Sequence, residues 1–277
     1  MLNAWLRHNR QQYHVFVRLI DFLLGQGFDP VPTPPTRDAE YRQDHTRAML
    51  DILSSFRDWD SRRPLKVFST GPLYQPRTSQ WTEAIDVEIL DGNEPDGDAQ
   101  ALELIGTIMP TLAEEIPQDE LFLVVGHVGW LGTVLSRLGM PVDAQQEVHT
   151  AFRQGDLVSA DHWLSRYDSR VRSLMVPKAA HEFFPALEEW IPGIRVAQPH
   201  WAVPDHWTVR WDLSLTGSWP YYTGLVFSLG HPEIGHPLLN GGRFSLTQGR
   251  HSWHGVGFTL YPDPMHRYLG MLDGGQY

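Results

Sequence analysis

Cysteine is missing from all 277 residues. Its absence excludes disulfides and thiolate metal sites and fits a reducing compartment. Long apolar runs are missing as well: no stretch approaches the ~18 consecutive apolar residues of a membrane-spanning helix. The opening MLNAWLRHNRQQYHVF has neither the apolar core nor the small-residue cleavage site of a secretory signal. A cytoplasmic location is therefore expected. Basic charge is scarce, since 22 Lys and Arg stand against 33 Asp and Glu and leave a formal charge of −11. Such a surface repels polyphosphate backbones, so neither nucleic acid nor membrane is an expected partner. There is no GxSxG elbow, and HEFFP at His181 lacks the second histidine of HExxH. His251 and His254 form only an isolated pair in an expected turn, so no metal and no cofactor are expected. Internal repeats and low-complexity segments are absent too.

What is present is an ordinary globular core, with 42% hydrophobic residues. From Arg10 to Phe28, Val15, Phe16, Leu19, Ile20, Leu23 and Leu24 recur at helical spacing and Gly25 and Gly27 offer a stop. PVPTPPTR cannot be helical and reads as an extended edge or interface segment. A second helix is expected from Thr46 to Phe56, then a short strand LKVFST and a turn at GPLYQPRTSQ. WTEAIDVEIL sets Ile85, Val87 and Ile89 on one face and Asp86 and Glu88 on the other, the pattern of a half-buried strand whose partner is GPLY. Asp98 is placed to cap a helix carrying Ala101, Leu102, Leu104 and Ile105. LFLVVG reads as a buried strand, while VGWLGTVLSRLG and the region from Ala144 to Glu188 read as helical. WTVRWDLSL, LVFSL, GGRFSL and GVGFTL then follow as short strands. Strands on both sides of a helical stretch predict an α+β fold: one antiparallel sheet flanked by helices. A single domain over 1–277 is expected, with a helical insertion around 144–188.

Several separated segments, in this order, carry a family likeness: GFDPVPTPP, YRQDHT, GPLYQPR with AIDVEILDG, DAQALELI, GHVGWLGTVLSRLG, PYYTGLVF, and GGRF with GVGFTL. Together, from about Phe22 to Leu269, they resemble the catalytic core of class II aminoacyl-tRNA synthetases. The likeness is to the histidyl branch and its non-synthetase paralogue, the regulatory subunit of ATP phosphoribosyltransferase. A free amino acid needs an anionic partner for its ammonium and a shaped wall for its side chain. The resemblance implies that Asp44 and Thr46 hold the ammonium, that Glu88 contacts an imidazole, and that Tyr221 and Tyr222 line the pocket. Each also has a plain structural reading. Asp44 can simply cap the helix beginning near Thr46, Glu88 can be a solvated residue on an exposed sheet face, and the tyrosines can merely flank a strand. The glycines of GGRF and GVGF are read as permitting turns and close strand packing rather than cradling phosphate.

The departures matter as much. The two arginines that neutralise ATP phosphate in class II enzymes would fall at Gln75 and Pro264. The arginine of the loop before the paired tyrosines would fall at Gly217, the acid preceding them at Pro220, and a strand glutamine at Ala84. Arg77 and Arg267 lie nearby along the chain but on a different register. Only a short tail follows the third motif, closing with Asp273 to Tyr277, so no anticodon-binding domain is expected. The resemblance thus implies a chain with no catalytic residues of its own. It implies a partner, the short-form catalytic subunit of ATP phosphoribosyltransferase, and histidine as effector. It also implies a self-dimer through the PVPTPP region within a hetero-octamer. The alternative is an enzyme that forms an aminoacyl adenylate for an acceptor other than tRNA.

Overall fold

A computed structural model describes residues 2–34, 36–37, 40–56, 64–75, 79–91, 96–112, 121–194, 203–217, 219–248 and 251–265. The chain begins with helix α1 (Leu2–Gly25), the short strands β1 (Asp29–Pro30), β2 (Thr36–Arg37) and β3 (Glu40–Tyr41), and helix α2 (Thr46–Ser54). A long hairpin, β4 (Leu65–Gln75) and β5 (Gln80–Leu90), leads to α3 (Asp96–Leu112) and β6 (Phe122–His127). Then come α4 (Val128–Arg137), α5 (Val142–Gln154), α6 (Leu157–Leu164), a 3-10 turn (Ser169–Leu174) and α7 (Ala180–Glu188). The closing strands are β7 (Thr208–Trp211), β8 (Tyr222–Gly230), β9 (Leu239–Gln248) and β10 (His251–Leu260).

Strands from both ends of the chain join in one eight-stranded sheet of order β1-β4-β5-β10-β9-β8-β6-β7. Its central ladders are antiparallel, as the sequence suggests. The two outermost pairs, β1 with β4 and β6 with β7, are parallel, so the sheet is mixed. Parallel neighbours need a crossover, and α2 supplies one while α4 to α7 supply the other. Among the described residues no helix is long and apolar enough to cross a membrane.

Four local expectations are corrected. The first helix starts at Leu2, well before Arg10, and stops at Gly25, with Gly27 in a left-handed conformation. LKVFST and GPLY form one eleven-residue strand. Pro72 is tolerated within it because β1 pairs only with Val67 and Phe68, leaving the strand an edge at that point. His251 and His254 lie on β10, opposite Gln248 and Ser245, and not in a turn. Asp98 lies inside α3 and does not cap it; its carboxylate accepts from Arg243 Nε at 2.9 Å, joining the helix to β9.

The alternation of β5 sorts the molecule into two layers. Ile85, Val87 and Ile89 pack with Leu19 and Leu23 of α1 and Ala101 and Ile105 of α3 in the main core. The opposite face carries Asp86 and Glu88, and it is covered rather than solvated. Met49 and Leu50 of α2 pack there with Val67, Leu90, Tyr221, Phe244 and Trp253 in a second apolar cluster. The same cluster anchors Tyr221, so the polar groups of β5 are sealed between α2 and the start of β8.

Candidate functional site

The first turn of α2 lies over Asp86 and Glu88. Thr46 Oγ1 donates to Glu88 Oε1 at 2.6 Å, and the His45 amide donates to Asp86 Oδ2 at 2.9 Å. Asp86 is 2% exposed and Glu88 3%, which rules out the solvated reading of Glu88. Asp44 Oδ1 accepts from the Arg47 amide at 2.9 Å, so it does serve the helix start, yet it also faces the cavity. Tyr221 and Tyr222 stand across from the carboxylates, their ring centroids 5.4 Å apart, with Trp219 stacked on Tyr221 at 5.8 Å. Asp44, Thr46, Glu88, Tyr221 and Tyr222 line one cavity, floored by Gly242 and Gly257. Asp86 and Trp219 line it too and were not singled out from sequence. Asp86 shares the strand alternation with Glu88, and that shared face was the signal available for it.

Gly257 shows why a glycine stands on the floor. A side chain there would begin 1.8 Å from Glu88 Oε2, so only a bare backbone lets the carboxylate lie flat between β5 and β10. That oxygen has no hydrogen-bond partner. Burial, reinforced by the nearby Asp86 and Asp44, pushes the Glu88 carboxyl well above its usual range. Burial likewise raises Asp86 to about 6, against opposing hydrogen bonds from Thr259 and the His45 amide. Asp44 is raised by burial and by Asp86. Arg42 is the buried cation beside this group, but its guanidinium donates to the carbonyls of Thr33, Pro34 and Pro72.

His45 completes the support. Its Nε2 lies 3.2 Å from the Gly71 carbonyl, which can only accept, so Nε2 carries the proton and Nδ1 accepts from Thr33 Oγ1 at 2.9 Å. Burial, and Arg42 beside it, depress the imidazole to about 4, so His45 is neutral at physiological pH. Three carboxyl groups thus converge on an enclosed space with no free cation among its described lining residues. Such a site suits an ammonium or imidazolium, whose arrival would favour ionised Glu88. The space itself is about 10 Å³, room for one water. A larger guest requires a wall to move.

Tyr222 is one of the walls. Its ring lies against Gly217, whose φ of +72° is a left-handed conformation and where a side chain would begin 2.3 Å from Tyr222 Cδ2. The position at which the resemblance expects an arginine therefore holds the closed tyrosine instead. Gln75 and Pro264 both line a separate cavity of about 680 Å³ beyond the end of β10, together with Trp81, Glu83 and Asp263. Ala84 is fully buried on β5. Arg77, Arg267 and Asp273 to Tyr277 lie outside the described residues.

The family model of histidyl-tRNA synthetase matches residues 36–265. The chain belongs to the histidyl-tRNA synthetase family. The fold agrees with that membership: a histidine–tRNA ligase subunit from Alicyclobacillus acidocaldarius superposes with a TM-score of 0.72 at 16% identity, covering 96% of this chain and 94% of that one. The ATP phosphoribosyl transferase (HisG:HisZ) complex from Thermotoga maritima contains a chain that superposes with a TM-score of 0.59 at 17% identity, covering 90% of this chain and 97% of that one. In sequence, the chain is 25% identical over 231 residues to the ATP phosphoribosyltransferase regulatory subunit of Desulforamulus reducens, covering 74% of this chain and 55% of that protein. It therefore spans about half the length of the curated relatives it matches.

Proposed function

We propose that this member of the histidyl-tRNA synthetase family is a regulatory subunit of short-form ATP phosphoribosyltransferase without catalysis of its own. It activates the catalytic subunit in the first step of histidine biosynthesis, in the cytoplasm, and makes it sensitive to histidine. One observation supports the reading: three carboxyl groups line the cavity at Glu88, while Gln75 and Pro264, where adenylate chemistry would need arginine, line a separate cavity. The names of the sequence relatives support the same assignment. Asp44 and Thr46 take the ammonium of histidine, Glu88 its imidazole, and Tyr221 and Tyr222 form the walls. Two such chains dimerise through the PVPTPP region, and each chain acts as a single domain.

Histidine can inhibit only by binding the inhibited arrangement of the complex more tightly than the active one. The deciding experiment measures phosphoribosyl-ATP formation by the short catalytic subunit of the same organism, alone, with this chain, and with this chain plus histidine. Activation followed by histidine inhibition is the expected result. Activation that histidine does not reverse would leave an assembly role and remove the effector. No activation, coupled with amino-acid-dependent pyrophosphate exchange by the chain alone, would replace the proposal with adenylate formation.

A further inference from the structure

A second cavity of about 160 Å³ is lined by Tyr222 and by Gly217, the glycine against which the Tyr222 ring lies. Tyr222 lines both spaces, so one side chain divides them. Their chemistry is complementary. The first holds three carboxyl groups, whereas no carboxylate lines the second among the described residues, and Arg153 from the last turn of α5 does. Thr216 lines it as well; it is 4% exposed and its hydroxyl has no hydrogen-bond partner. A buried hydroxyl left without a partner is unfavourable unless a guest completes it. Arg153 is half-buried and donates to Thr150 Oγ1 at 3.0 Å, a bond that uses one of its five donors.

Neither chamber alone suits a zwitterion. The acidic one holds a single water's volume and the other has no anion for an ammonium. We infer that the two chambers are halves of one amino-acid site: Arg153 and Thr216 hold the α-carboxylate, the cationic end enters the carboxyl cluster at Glu88, and Tyr222 turns aside to join them. The inference rests on the proposed amino-acid pocket and adds the missing counter-charge. That charge comes from the helical stretch between β6 and β7, an element the sequence reading gave no part in binding. Two other arginines compete for the role. Arg42 is committed to backbone carbonyls, and Arg47 stands over the Tyr221 ring at 5.4 Å, facing a wider polar cavity near Asp44.

The test is calorimetric titration of the full chain with each standard amino acid, and then with the decarboxylated amine of whichever one binds, histamine in the case of histidine. The wild type is expected to prefer histidine to histamine by about 10- to 100-fold, the effect of one charge-assisted carboxylate contact. Arg153→Ala should erase that preference by weakening histidine while leaving histamine unchanged. Arg153→Lys should restore part of it, and Arg47→Ala should leave it intact. Melting curves of the half-buried Arg153 variants check that the fold is retained. An unchanged preference in Arg153→Ala, or its loss in Arg47→Ala instead, overturns the subsite while leaving the pocket reading in place. An Arg153-dependent preference for a different amino acid upholds the subsite and overturns histidine as ligand. If no amino acid binds the wild-type chain, both fall.

Discussion

Thr46 Oγ1 and Glu88 Oε1 are joined by a 2.6 Å hydrogen bond across 42 residues of chain, linking the first turn of α2 to the middle of β5. The bond satisfies one carboxyl oxygen and leaves the other, over Gly257, without a partner. Burial of this carboxyl outweighs the Thr46 bond, which favours the charged form, so ionisation is disfavoured and stability becomes pH-dependent.

From about pH 4.5 upward an unfolded chain has released the Glu88 proton, while the native state, with its raised pKa, retains it. The native state then binds more protons, so stability falls as pH rises, by about 1.4 kcal/mol for each pH unit until the native group ionises. Glu88→Gln cannot titrate but can still accept from Thr46. Its stability relative to wild type should therefore climb between pH 5 and the native pKa, as read by denaturant midpoints across that range. Asp86, raised to about 6, and His45, lowered to about 4, are common to both proteins and largely cancel in the comparison. Under the role proposed for Glu88, the same variant should also bind histidine more weakly. A flat stability difference across pH would mean that Glu88 is not held protonated.

Asp44 divides its work between the helix start and the cavity. Asp44→Ala removes the acceptor of the Arg47 amide, which should lower stability by about 1 kcal/mol, the usual effect of losing a capping carboxylate. Inhibition of the catalytic subunit by histidine should weaken while activation persists, because Asp44 faces the pocket and not the sheet core. Phosphoribosyl-ATP assays over a histidine titration check this. Inhibition at the wild-type concentration would place the effector elsewhere.

The pair Asp98 and Arg243 tests the architecture independently of function. The two side chains are 11% and 7% exposed and join α3 to β9 at 2.9 Å. Asp98→Ala leaves a buried guanidinium without its carboxylate and should lower unfolding stability by about 3–5 kcal/mol. Replacing both, as Asp98→Leu with Arg243→Met, should recover most of that loss, because apolar residues of similar volume substitute well for a buried pair. Urea unfolding with an unchanged slope and a shifted midpoint is the expected record.

These residues also mark where the sequence could be read and where it could not. The alternation of WTEAIDVEIL placed Asp86 and Glu88 on one face, and the ordered segments brought five residues to one cavity, because period and order are local or sequential properties. Whether that face met water or another layer depended on α2, which precedes the strand by some 30 residues, and alternation carries no information about a covering helix. Asp98 looked like a cap because the local pattern allows one, whereas its true partner is 145 positions away. The parallel edge pairs and the continuation of β4 through Pro72 were hidden for the same reason: each depends on which neighbour a strand acquires. Arg153 carried no signal at all, being one basic residue in the last turn of an amphipathic helix.

Gly217 and Tyr222 provide the sharpest check on the closed pocket. Gly217→Ala introduces two separable costs: a methyl group 2.3 Å from Tyr222 Cδ2, and a left-handed φ that an L-residue occupies at about 1–2 kcal/mol. In the Tyr222→Ala background the collision with the ring vanishes, leaving the backbone strain and a 3.2 Å contact with Val226 Cγ1 that both backgrounds share. A double-mutant cycle on unfolding stability should therefore show a coupling of about 1–2 kcal/mol, with the double variant more stable than the sum of the single losses predicts. If instead the two changes add without coupling, Tyr222 does not rest on Gly217 in solution and the pocket stands open before any ligand arrives. The ring's departure should also loosen Trp219, which stacks on Tyr221 beside it. A change in tryptophan fluorescence in Gly217→Ala, absent when Tyr222 is already alanine, would tie the stability coupling to movement of this wall.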